Sequence, residues 1–167
     1  MKTRTVREIN KKASFFRTGL GLKRGVVLVC GGFDPIHAGH ISLLEEAARL
    51  GNNLVIALNS DSWLEREKGY VLFTWADRKI ILDALACVDE VIGFDDRDGT
   101  ACAALRKVRP SWFCNGPGKN EYTTPESELC RRLDIGSVWN CGGLIIRSSV
   151  DSLKRVRNIQ TLSDIKD

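Results

Sequence analysis

The chain contains two histidines, His37 and His40, and they stand three positions apart within Cys30-Gly31-Gly32-Phe33-Asp34-Pro35-Ile36-His37-Ala38-Gly39-His40. Two imidazoles that can each donate a hydrogen bond and gain positive charge, set in a glycine-rich loop, suit a phosphate group. Gly31 and Gly32 carry no Cβ and let the backbone approach a ligand closely. A helix that starts near Gly39 would aim its unpaired N–H groups and positive dipole end into the same loop. A histidine pair can also ligate a metal, but no third Cys, His or carboxylate stands at ligand spacing. A purely structural pair is the other reading. No G-x-G-x-x-G motif occurs, so a nicotinamide dinucleotide has no support.

The elements that would position these residues alternate in type. Val26 to Cys30 is a short, β-branched, wholly apolar run and predicts a buried strand. His40 to Leu50 predicts a helix with Ile41, Leu44, Ala47 and Ala48 on one face, stopped by Gly51 and two asparagines. Leu54–Leu58 predicts a second strand. Thr74–Cys87 reads as a helix with Ile80, Ile81, Ala84 and Leu85 inward, and Val88–Phe94 as a strand. Thr100–Arg106 reads as a helix, Trp112–Cys114 as a strand and Pro125–Leu133 as a helix. Ser137–Trp139 is a last short strand, and Ser149–Arg157 a closing helix. Strands separated by helices imply a parallel sheet covered on both faces, an α/β Rossmann-like three-layer fold, with ligands bound beyond the strands' C-terminal ends.

At 167 residues, 43% hydrophobic and 28% charged, the chain suits a single folded domain and excludes disordered, collagen-like and coiled-coil classes. No apolar run approaches the ~20 residues a bilayer span needs, and the N-terminus lacks a signal-type apolar stretch. Residues 1–24 carry eight Lys and Arg against Glu8 alone, a charge of +7, which leaves −3 on the rest of the net +4. We divide the chain into a basic extension (1–24), a domain (25–160) and a short tail (161–167). A basic arm can touch nucleic acid or an anionic surface; a solvated or subunit-packing extension is the simpler reading, since only Phe15 and Phe16 supply aromatic character. The six cysteines form no C-x-x-C or Cys–His zinc pattern, and most lie in apolar runs as core residues, so a reduced, cytoplasmic protein is expected.

The segment GGFDPIHAGH resembles the G-x-F-D-x-x-H-x-G-H signature of the nucleotidyltransferase superfamily. Further blocks resemble the family in register from about residue 26 to 157: Leu58 to Leu64, Glu67-Lys68-Gly69-Tyr70, Asp77 to Leu82, Val88 to Ile92, Val108-Arg109-Pro110 and Ile146-Arg147-Ser148-Ser149. The likeness is strongest to the group containing glycerol-3-phosphate cytidylyltransferase and heptose 1-phosphate adenylyltransferase. It implies transfer of a nucleotidyl unit from ATP or CTP to a phosphorylated sugar or polyol, with pyrophosphate released by direct in-line attack. It also implies Mg²⁺ travelling with the nucleotide, and a homodimer.

By the same resemblance, His37, His40 and Lys68 are the catalytic candidates. Gly32, Phe33, Asp34, Gly39, Arg147, Ser148 and Ser149 would bind nucleotide, and Arg78, Asn115, Gly116 and Lys119 the acceptor. Local readings stand beside these roles: a surface lysine at 68, an Arg78 ion pair with Asp77 or Asp83, and a helix N-terminus at Ser148-Ser149. Asp61 is expected to join Ser60 in capping a helix rather than to act in chemistry. The chain departs from the family at Asn115-Gly116-Pro117-Gly118, where relatives place a second glycine and an aspartate, and this departure bears on the acceptor. Two other classes of function are weighed: a non-catalytic nucleotide-binding or regulatory protein on the same fold, and an accessory protein that uses the basic arm.

Overall fold

The computed structural model describes residues 25–116 and 124–142. The basic extension, Lys119, Arg147, Ser148, Ser149 and the expected closing helix therefore lie outside the described residues. Five strands form one all-parallel sheet in the order β3-β2-β1-β4-β5. They are β1 (Val26–Gly31), β2 (Asn53–Leu58), β3 (Glu90–Gly93), β4 (Trp112–Cys114) and β5 (Gly136–Val138). The helices are α1 (Ala38–Arg49), α2 (Asp61–Lys68), α3 (Trp75–Asp83), α4 (Cys102–Val108) and α5 (Pro125–Arg132). Register is tight at the centre, where Leu28 pairs with Val55 on one side and with Phe113 on the other.

Side chains along β1 alternate between two cores, as the pleat requires. Val27 and Val29 join Leu44, Ala47, Ile56 and Leu82 beneath α1 and α3. Leu28 joins Val55, Ala57, Leu105, Phe113 and Leu129 beneath α4 and α5. The sheet is thus buried on both faces, which is why its strands read as unbroken apolar runs. This is the expected Rossmann-like α/β fold. The chain runs outward from β1 through β2 to β3, then crosses to β4 on the other side of β1. The strand order therefore reverses between β1 and β4, the position where open α/β sheets bind ligands.

Three expectations change. The segment DSWLEREK forms α2, capped by the Ser60 hydroxyl and closed by Gly69 at φ 77°; Ser60 alone caps it, and Asp61 lies inside the helix. In α3 the buried residues are Arg78 and Leu82, while Ile80 is 68% exposed. A buried, multiply bonded arginine, not the aliphatic stripe, sets that helix's inward face. The third concerns the cysteines: Cys114 and Cys141 are joined by a disulfide with Cα atoms 6.6 Å apart, so the chain is not the fully reduced one expected. That bond ties the end of β4 to the loop that follows β5.

Candidate active site

The loop after β1 is held from one side by two basic residues. Arg78, 1% exposed, donates from Nη1 to the Gly32 carbonyl at 2.5 Å and from Nε to the Phe73 carbonyl at 3.0 Å. Its Nη2 pairs with Asp61 at 2.6 Å. The guanidinium is therefore a clasp on the loop, with all three nitrogens committed inside the protein, and its ion-pair partner is neither Asp77 nor Asp83. Three of its five N–H donors are bonded inside the protein. Lys68 Nζ donates to the Asp34 carbonyl at 2.8 Å. Asp34 itself is fully buried, and its carboxylate accepts the N–H groups of Leu72 at 2.7 Å and Phe73 at 3.0 Å. It fastens the loop to the 72–73 segment.

These bonds fix the direction of the loop's peptides. In a trans peptide the C=O and the following N–H point opposite ways. The Gly31 carbonyl accepts from Asn59 N at 3.1 Å on the β2 side, so the Gly32 N–H faces β4. The Gly32 carbonyl faces Arg78, so the Phe33 N–H faces away from it. Phe33 itself adopts φ 51°, an uncommon conformation for a large side chain.

His37 is the N-cap of α1, which begins at Ala38, two residues earlier than a start at His40 predicts. Its carbonyl accepts from His40 N at 2.9 Å, and its own N–H donates to His40 Nδ1 at 3.3 Å. Because Nδ1 of His40 accepts, the neutral ring carries its proton on Nε2, which is left as a donor. The two imidazoles stack with centroids 3.8 Å apart, and the Phe33 ring lies 5.0 Å from that of His40. Burial, the neighbouring His37 and the charge of Lys68 push the His40 pKa down to about 3. Burial and Lys68 also lower that of His37. The Lys68 pKa is lowered by burial, with Asp34 opposing and Arg78 adding to the shift. Three nitrogen bases thus resist carrying charge together, a frustration that a polyanion beside them would relieve. The Ala38 and Gly39 N–H groups in the first turn of α1 add unpaired donors to the same end.

Across the switch point, Asn115 follows β4 and is 3% exposed. Its backbone bridges Val138 O and Cys141 N, at 2.9 and 3.0 Å, yet its side-chain Nδ2 is buried without a partner, as is His37 Nδ1. Gly116 packs beside Leu43 of α1. Gly142, at φ 86°, docks directly on α1: its N–H donates to Glu46 at 2.6 Å, and its carbonyl accepts from Ser42 at 3.1 Å. A Cβ there would stand 2.8 Å from the Leu43 nitrogen, so only glycine permits this approach. The structure therefore brings together His37, His40, Lys68, Gly32, Phe33 and Gly39 around the β1 loop, with Asn115 and Gly116 across the reversal point. Sequence reasoning missed Asp61 as the partner of Arg78 and the Ser42–Glu46–Gly142 contact; pairs so distant in sequence leave no local signal.

A model of the cytidylyltransferase-like family matches residues 28–162. The chain belongs to that family. It is 40% identical over 112 residues to the bifunctional protein HldE of Streptomyces coelicolor, covering 65% of this chain and 24% of that protein. It is 36% identical over 113 residues to the D-beta-D-heptose 1-phosphate adenylyltransferase of Bordetella bronchiseptica, covering 66% of this chain and 68% of that one. The chain therefore spans about a quarter of the bifunctional relatives and two thirds of the shorter enzyme. Among solved structures it resembles the lipopolysaccharide core biosynthesis protein of Thermoplasma volcanium, with TM-score 0.57 and 27% identity over 68% of this chain and 93% of that one. Within the cytidylyltransferase-like fold, the histidine pair stands at the switch-point end of β1, and no described helix is long and apolar enough to cross a membrane.

Proposed function

We propose that this cytidylyltransferase-like protein is a nucleotidyltransferase that joins a nucleoside monophosphate unit to a phosphorylated sugar and releases pyrophosphate. The observation that carries this reading is the stacked His37–His40 pair at the start of α1, beside Lys68 and the backbone N–H groups of Gly32 and Phe33. An oxygen of the acceptor's phosphate attacks the α-phosphorus of the triphosphate. The new P–O bond forms as the bond to the bridging α–β oxygen breaks, and the electron pair leaves with pyrophosphate. No covalent intermediate on the protein is needed, so catalysis is positioning and charge stabilisation. The His40 Nε2–H donates to a phosphate oxygen where charge develops, an effect of the oxyanion-hole kind. Lys68 neutralises the outer phosphates, and the triphosphate's charge in turn raises the pKa values of both imidazoles.

Among the described residues, no three His, Cys, Asp or Glu side chains gather as a metal cage. The donors around the loop are N–H groups, which suit phosphate oxygens and not a hard cation. Mg²⁺ in this reading rides on the triphosphate and neutralises its oxygens. The Bordetella relative's name supports ATP and a sugar 1-phosphate as substrates; CTP and a polyol phosphate such as glycerol 3-phosphate are the alternatives. A homodimer is the proposed assembly.

The test offers ATP and CTP, with Mg²⁺, against a panel of sugar and polyol phosphates and measures pyrophosphate release. One productive pair that is lost in His37→Ala is expected. Nucleotide binding with no release from any pair would favour a binding or regulatory role on the same fold.

A further inference from the structure

A buried carboxylate outside the phosphate loop holds the start of α2. Asp96 follows β3, in the loop Phe94-Asp95-Asp96-Arg97, and is 4% exposed. Its Oδ2 accepts the Ser60 backbone N–H at 2.7 Å and Asn59 Nδ2 at 3.2 Å, while its Oδ1 accepts the Ser60 hydroxyl at 2.9 Å. With its proton committed to Asp96, the same hydroxyl accepts the Trp63 N–H at 3.0 Å, the capping bond of α2. From within that helix, Arg66 reaches back to the Asp96 carbonyl at 2.9 Å. Asp96 is thus bonded to Asn59 just past the end of β2, to the cap of α2 and to a side chain nearly two turns along that helix.

The helix so anchored carries both grips on the phosphate loop. Asp61, in its first turn, orients Arg78, which binds the Gly32 carbonyl; Lys68, in its last, binds the Asp34 carbonyl. A negative group at the start of α2 also complements the helix dipole. We propose that Asp96 is a positioning residue of the nucleotide site: it sets the axial place of α2 and through it the place of the Lys68 ammonium beside the histidine pair. This inference rests on the phosphate-binding reading of the β1 loop given above. Asp96 touches no substrate; its effect passes through Lys68.

Asp96→Asn preserves size but turns an NH₂ group toward one of the Ser60 donors. It is expected to weaken ATP binding about tenfold, equivalent to ~1.4 kcal/mol, with a matching rise in KM and a smaller fall in kcat. Ser60→Ala removes the hydroxyl from the same network and is expected to act in the same direction, which provides a second variant if the first fails to fold. The decisive measurement is a double-mutant cycle with Lys68→Ala on the Kd of ATP and of inorganic pyrophosphate, using variants shown by circular dichroism to be folded. If Asp96 works through Lys68, Asp96→Asn adds less than about twofold in the Lys68→Ala background. An unchanged Kd in folded Asp96→Asn, or full additivity with Lys68→Ala, overturns the proposal. A wild-type chain that binds neither ATP nor pyrophosphate overturns the phosphate reading and this inference with it. Binding without turnover fails only the transfer reaction and leaves the cycle readable.

Discussion

The two flanks of the switch point are built differently. On the β2 side, the strong donors and acceptors are already spent inside the protein. Arg78 makes three bonds, Asp34 accepts two backbone N–H groups, and Asp96 accepts three donors. The exception there is the buried hydroxyl of Tyr70, which has no partner. Toward β4 and the start of α1, His37 Nδ1 and Asn115 Nδ2 are buried and unbonded, and His40 Nε2 is left as a donor. Buried polar groups are normally satisfied, so one flank serves as a completed scaffold and the other keeps hydrogen-bonding capacity to spare. The scaffold costs nothing further when a ligand binds. The unsatisfied flank gains most from one.

Breaking the scaffold should produce the largest effect on stability. Arg78→Met is expected to destabilise the fold by about 3 kcal/mol, because it leaves the Gly32 carbonyl and Asp61 without their buried partner. Urea denaturation of both chains measures this, and a loss below about 1 kcal/mol would show that the clasp is dispensable.

Acid should act on the other flank. The folded-state pKa of His40 lies near 3, below the ~6.5 of an unfolded histidine. Between those values the unfolded chain binds the extra proton, so stability falls as the pH drops through that window and is fully present above it. One differential proton corresponds to at most ~1.4 kcal/mol per pH unit. His40→Gln should flatten the slope between pH 6.5 and 4, and an unchanged slope would mean that other groups set it.

The smallest stability effect is expected where no bond is lost. Asn115→Ala removes a buried amide nitrogen that has no partner, so stability should change by less than about 1 kcal/mol. Substrate affinity should nonetheless fall if Asn115 binds the acceptor as the family resemblance implies. A large loss of stability with unchanged affinity would place Asn115 in the scaffold instead.

The legible parts of this molecule were those with a local signature. β1 and β2 are covered on both faces and so read as continuous apolar runs, and the glycine and histidine spacing after β1 marks the loop without reference to any distant residue. The helix α2 was less legible because only Leu64 is buried along it, too little to impose a period. In α3, periodicity pointed at Ile80, whereas three hydrogen bonds drew Arg78 inward; pattern reading assigns arginine to the surface and has no means of counting such bonds. Asp96 sits in FDDRDG, which reads as a solvent loop, and its partners Asn59 and Ser60 lie more than thirty residues earlier. The Cys114–Cys141 bond likewise joins positions 27 residues apart.

The most direct test of the central claim is the chemical step in His40→Ala, followed as pyrophosphate release with the wild type's best pair of substrates and checked against an unchanged circular dichroism spectrum. Loss of a preorganised donor to developing phosphate charge predicts a kcat lowered by about 10²–10³. A folded His40→Ala protein that turns over at the wild-type rate would contradict the assignment of the histidine pair to the transition state.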